Sequence, residues 1–87
     1  MIFKNSIRFK HGTLRRGDKC LYRQWPGVYM GSYIENEHTV HMIKVYAYYG
    51  INGNMQIEEY IAQTTNKNDI VCHQQEMEAA ENQLRLV

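Results

Sequence analysis

Gly17 to Tyr49 reads GDKCLYRQWPGVYMGSYIENEHTVHMIKVYAYY, and this stretch decides the fold. It holds the only Trp, the only Pro and six of the seven Tyr. A Gly-Asp turn stands at its head, where Gly takes awkward dihedrals and Asp bonds the local backbone. Three extended runs follow. Lys19 to Arg23 places Cys20 and Tyr22 on one face and Leu21 on the other. Gln24-Trp25-Pro26-Gly27 interrupts it, and Pro26 restricts Trp25 to extended conformations, so Trp25 is expected at a turn. Val28 to Glu35 alternates, with Gly31 suited to a bulge or a close approach between strands. After the polar break Asn36-Glu37-His38, the run Thr39 to Tyr49 is rich in β-branched and aromatic residues, which argues against helix. Val40, Met42, Tyr46 and Tyr48 lie on one face and Ile43, Val45, Ala47 and Tyr49 on the other. With both faces largely apolar, a covered or closed sheet is expected, bent near Lys44.

Outward from this centre the pattern continues. Before it, Ser6 to Lys10 alternates with Ile7 and Phe9 on one face, a short half-buried strand. After it, Asn52-Gly53 is the strongest hairpin signal in the chain. Met55 to Ala62 follows with Met55, Ile57 and Ile61 on one face, and Ile70-Val71-Cys72 offers a short last strand. From His73 the period changes. Ile70, His73, Met77, Ala80, Leu84 and Val87 recur at steps of three and four, predicting an amphipathic helix over residues 73–87. The expected fold is mainly β (α+β), in one domain over residues 1–87. A small antiparallel barrel or curled sheet of five or six strands spans 1–72, and the C-terminal α-helix follows.

The order of elements resembles SH3-like barrels of the Tudor or KOW type over residues 15–62. The carriers are the turn and strand Gly17-Asp18-Lys19-Cys20-Leu21-Tyr22, the aromatic strand Trp25 to Ile34, the hydrophobic strand Val40–Tyr49, and the Gly-containing turn Gly50–Asn54. The resemblance implies a small barrel that binds a partner. In Tudor-type domains aromatics at strand ends form a cage for a methylated cation. Trp25, Tyr29, Tyr46 and Tyr48 are the matching aromatics, whereas the acidic or Asn partner has no match.

Charge is segregated along the chain. Residues 1–23 carry seven basic groups against one acid, and residues 24–87 carry three against eight, a balance of +6 facing −5. Such asymmetry speaks of partners and association. No apolar run reaches the roughly 18–20 residues of a spanning helix, and no secretory signal is visible at the N-terminus. A cytoplasmic protein without a membrane anchor is therefore expected.

Catalytic chemistry finds little support in the residues. Cys20 and Cys72 lie in apolar runs, unlike a reactive thiol, which needs an electropositive and partly exposed setting. His38, His41, Cys72 and His73 do not form the paired spacing of a zinc site. No phosphate-cradling motif is present. The expectation is a protein that is not an enzyme and has neither metal nor cofactor.

Two binding readings remain. Tyr, Trp, Met and Arg are enriched in interface cores, and the first reading is a protein-binding module, a small regulatory protein of the phage- or plasmid-type adaptor or inhibitor kind. It would act through Arg23, Trp25, Tyr29, Tyr33, Tyr46 and Tyr48, with a homodimer through the C-terminal helix as a further option. The alternative is a nucleic-acid-binding regulator using Arg8, Lys10, Arg15, Arg16, Lys19 and Arg23, with nearby aromatics for stacking.

Overall fold

Tight turns set the register of this protein. The computed structural model describes residues 2–10 and 12–72. Three two-residue connections close hairpins where Tyr22 faces Trp25, Glu35 faces His38, and Ile51 faces Asn54. Asn52 and Gly53 both have positive φ, 53° and 82°, as the Asn-Gly signal predicts. Asn36 and Glu37 take the same left-handed form, at 51° and 65°.

The strands are β1 (Ile2–Lys4), β2 (Ser6–Phe9), β3 (Gly12–Arg15), β4 (Lys19–Tyr22), β5 (Trp25–Glu35), β6 (His38–Ile51), β7 (Asn54–Thr64) and β8 (Ile70–Val71). A 3-10 turn at Lys67–Asp69 joins the last two. All pairings are antiparallel, and the main sheet runs β7-β6-β5-β4-β8. β1 also belongs to it, pairing with β5 at Ile34, Tyr33 and Ser32. Since β6 occupies one edge of β5, β1 and β4 share the other. Between them the chain leaves the sheet and forms the separate β2–β3 hairpin.

The protein is thus mainly β and antiparallel, a curled sheet rather than a closed barrel, because β7 and β8 do not pair. The helix expected over residues 73–87, and with it the homodimer contact, lies outside the described residues.

The core sits between the hairpin and one face of the sheet. Ile7 and Leu14, cross-strand partners in the hairpin, pack with Cys20, Tyr29, Ile43, Val45, Ala62 and Ile70. The register of β5 against β6 shifts between Tyr29 and Gly31. That bulge falls at the glycine where the sequence permits one, and Gly31 takes φ 107°.

Two expectations are corrected. Trp25 does not sit in a turn. The turn is Arg23-Gln24, with Arg23 at φ 57°, and Trp25 opens β5. Its physical cause is that Pro26 suits the extended start of a strand as well as it suits a turn. Second, the apolar faces of β6 do not mean that the whole strand is covered. β6 pairs with β5 only up to Val45 and with β7 along its length to Ile51. Beyond Val45 the β6–β7 pair forms a two-stranded arm. Its register is unbroken, and the irregularity expected near Lys44 lies in β5 instead.

Candidate functional site

The arm carries the most conspicuous surface. Its register places Tyr48 opposite Ile57, Tyr46 opposite Glu59, and Lys44 opposite Ile61, all on one face with Met55. Ile57 is 71% exposed, Met55 66% and Ile61 51%. Three large aliphatic side chains in a row on one strand face therefore stand in water. Lys44 Nζ bonds Glu59 Oε1 diagonally at 2.8 Å, which anchors the middle of this face. At its inner end the Trp25 and Tyr48 rings meet edge to face, 5.2 Å apart and at 78°. Such pairs add to burial through the ring quadrupoles.

The structure distributes the six protein-binding candidates unequally. Trp25 and Tyr48 are in contact, and Tyr46 follows Tyr48 on the same strand face. Tyr33 lies further along the sheet, its hydroxyl reaching towards Gln63 Oε1 at 3.5 Å. Arg23 stacks its guanidinium over the Tyr22 ring at 5.4 Å, and its amide donates to the Asp69 carbonyl at 2.7 Å. Tyr29 is corrected outright. It is fully buried, so it belongs to the core and not to any surface. The reason is the β5 register, which sets Tyr29 opposite Ile43 on the face that the β2–β3 hairpin covers. A Tyr29-containing aromatic cage is excluded with it.

Around Tyr29 runs a buried polar chain. The Tyr29 hydroxyl is hydrogen bonded to Ser32 Oγ, which lies 2.6 Å from His41 Nδ1. Ser32 and His41 are themselves buried. A serine beside a histidine suggests a nucleophile and its base, yet both are closed off from solvent, and the arrangement satisfies polar groups inside the sheet. Burial raises the Tyr29 hydroxyl pKa and lowers that of His41, with the Lys67 charge lowering His41 further.

His41 thus binds its proton less readily when folded than when unfolded. Stability is fully present above the unfolded value of about 6.5 and falls as pH drops below it towards the folded pKa. One such group contributes a slope of up to about 1.4 kcal/mol per pH unit in that window. Unfolding free energies measured on acidification should show this slope in the native protein and lose it in His41→Gln. Identical slopes in both would remove His41 from the account.

Burial, with smaller contributions from Cys72 and Asp18, pushes the Cys20 thiol up to about 12, which leaves it a protonated core side chain. Among the described residues no group of three His, Cys, Asp or Glu side chains is placed to hold a metal ion. Among them, too, no helix is long and apolar enough to cross a membrane.

The basic candidates separate into groups. Arg8 and Arg15 lie on the outer face of the β2–β3 hairpin, away from Ile7 and Leu14. Lys10 follows Phe9 at the hairpin end, and Arg16 follows β3, its amide donating to the Asn5 carbonyl at 2.8 Å. Lys19 opens β4, opposite Val28. Arg23 is apart from them, at the Tyr22 ring.

Sequence reasoning missed Met55, Ile57 and Ile61 as surface residues, together with Phe3, which is 68% exposed. An apolar alternation reads the same whether its face is covered or bare. The signal that was available is the Asn-Gly turn between two long runs, which builds a hairpin longer than the rest of so small a sheet.

No family model, no curated protein and no solved structure matches this chain.

Proposed function

We propose that this protein is a non-enzymatic binding module that docks a partner protein on the open face of the β6–β7 arm. Trp25, Tyr46 and Tyr48 form the inner part of that face and Met55, Ile57 and Ile61 the outer part. One observation carries the reading: a continuous apolar strand face left in water on an arm that nothing in the core requires. Contiguous exposed apolar surface of this kind marks interaction sites. Aromatic and Met side chains are the ones that anchor interfaces. The edge of β7 strengthens it. An uninterrupted 11-residue strand with no Pro and no Lys offers backbone groups for strand addition.

The partner would present an apolar strip flanked by basic groups that meet Glu58 and Glu59. The strand order β7-β6-β5-β4-β8 and the Gly17-Asp18 turn support kinship with SH3-like barrels of the Tudor or KOW type. A cytoplasmic adaptor or inhibitor fits these features.

Site-specific photo-crosslinking tests the proposal. A crosslinker at position 57 should trap a defined partner in the native host, and one on the outer hairpin face, at Thr13, should not. Ile57→Asp should weaken capture of that partner about tenfold or more while leaving stability within about 0.5 kcal/mol, as expected of an exposed position. Capture of the same partner undiminished by both Ile57→Asp and Tyr48→Ala would overturn it.

A further inference from the structure

At the other end of the sheet, the β1–β5 pairing places Lys4 opposite Ser32 and Phe3 opposite Tyr33. The chain then passes through Asn5, whose carbonyl accepts the Arg16 amide, so the return from the hairpin is tied beside the departure. Gly31 makes the approach possible. A Cβ there would stand 3.3 Å from the Lys4 carbonyl oxygen and 4.0 Å from Arg16 Cδ, on a backbone at φ 107°. The Arg16 stem therefore runs close by the bulge of β5.

The result is a cleft of about 140 Å³ with Phe3, Met30 and Met42 as its apolar lining and Lys4, Asn5 and Arg16 among its polar lining. It continues into an open depression formed by Asn5, Ser6, Arg15 and Arg16. Arg8 extends the positive charge along the outer hairpin face, and Lys10 follows at its end.

Carboxylates do not neutralise this charge. Asp18, the one acid in the first 23 residues, turns its carboxylate to the Arg15 amide at 2.8 Å. Among the described residues the ion pair is Lys44–Glu59, on the arm.

We infer that this cleft binds the phosphodiester backbone of a single-stranded nucleic acid, held by Lys4, Arg15 and Arg16 with a base stacked on Phe3. The site is independent of the docking face on the arm. Cations alone would serve any polyanion. The two features that select a single strand are an aromatic ring exposed at a strand edge, which needs an unstacked base, and a narrow apolar recess beside the cations. A duplex would reach the outer hairpin charges and leave Phe3 idle. An anionic membrane would meet Ile2 and Phe3 but has nothing to place in a recess.

Fluorescence anisotropy of a labelled oligothymidine, titrated at several salt concentrations, is the test. For three to five neutralised phosphates, log affinity should fall against log salt with a slope of about −2 to −3.5. Arg15→Ala should weaken binding several-fold and make the slope less negative by about 0.7. Phe3→Ala should weaken it about tenfold with the slope unchanged. Both side chains are exposed, so neither variant should disturb the fold, which circular dichroism verifies. No binding at low salt would overturn the inference. So would binding indifferent to Phe3→Ala, equal affinity for a duplex of the same length, or binding to phosphatidylserine vesicles without binding to the oligonucleotide.

Discussion

Tyr29→Ala is expected to cost about 3–5 kcal/mol, the range for removing a fully buried aromatic ring, against a total margin of only about 5–15 kcal/mol for native proteins. Tyr29 makes more than one kind of contact. Its ring packs among Ile7, Leu14, Ile43 and Val45, joining hairpin to sheet. Its backbone also ties the Gly17-Asp18 turn to the centre of β5. The Gly17 amide donates to the Tyr29 carbonyl at 2.8 Å, and the Tyr29 amide to the Asp18 carbonyl at 3.0 Å. Those bonds survive the substitution, so the loss measures the ring and its hydroxyl.

Tyr29→Phe separates the two. It keeps the ring and leaves Ser32 and His41 with one partner fewer, for about 1 kcal/mol. Denaturant midpoints of the native protein and both variants give the comparison. A loss below about 1 kcal/mol in Tyr29→Ala would mean that Tyr29 is not the centre of this core.

The second large effect is expected at Gly27, which faces Val45 in the β5–β6 ladder. A Cβ at this position would lie 2.8 Å from Ile43 Cγ2 and 2.8 Å from the Lys44 carbonyl oxygen. The first neighbour is a core side chain and the second is backbone, so neither yields freely. Gly27→Ala should therefore push β5 from β6 and cost about 2–3 kcal/mol, in the range of overpacked cores. Because Gly27 stands where the arm leaves the sheet, amide exchange of β6 near Val45 should quicken with it. An alanine variant as stable as the native protein would show that the two strands have room to separate without loss.

Much of the fold was legible because its signals are local. Asn52-Gly53 and Gly17-Asp18 name their turns by residue chemistry, and Gly31 marks the bulge. Ile7 turned inward and Arg8 outward, as alternation requires. The last strand was readable from Ile70-Val71, although its partner was not. The site was legible only in part. Trp25, Tyr46 and Tyr48 gathered on or beside the arm, yet Tyr29, two residues past Gly27 in the same aromatic run, went to the core. Composition cannot separate a tyrosine that anchors an interface from one that fills a sheet. Likewise Ile57 and Ile43 are equally apolar and equally placed in alternating runs, and they end at 71% and 0% exposure.

Residue type and spacing were thus sufficient for a mainly antiparallel β protein, for its turns, and for a basic N-terminal quarter. Those properties depend on neighbours in the chain. Which strand faces are covered depended on pairings between distant segments. The β2–β3 hairpin folds over one face of β5 and β6, while β6 and β7 run on past the end of β5. Coverage is a property of what lies across space, and alternation says only that a strand has two faces. The long run ending at Tyr48 and Tyr49 is therefore half core strand and half exposed arm, and that division is what turns an aromatic stretch of sequence into a surface for binding.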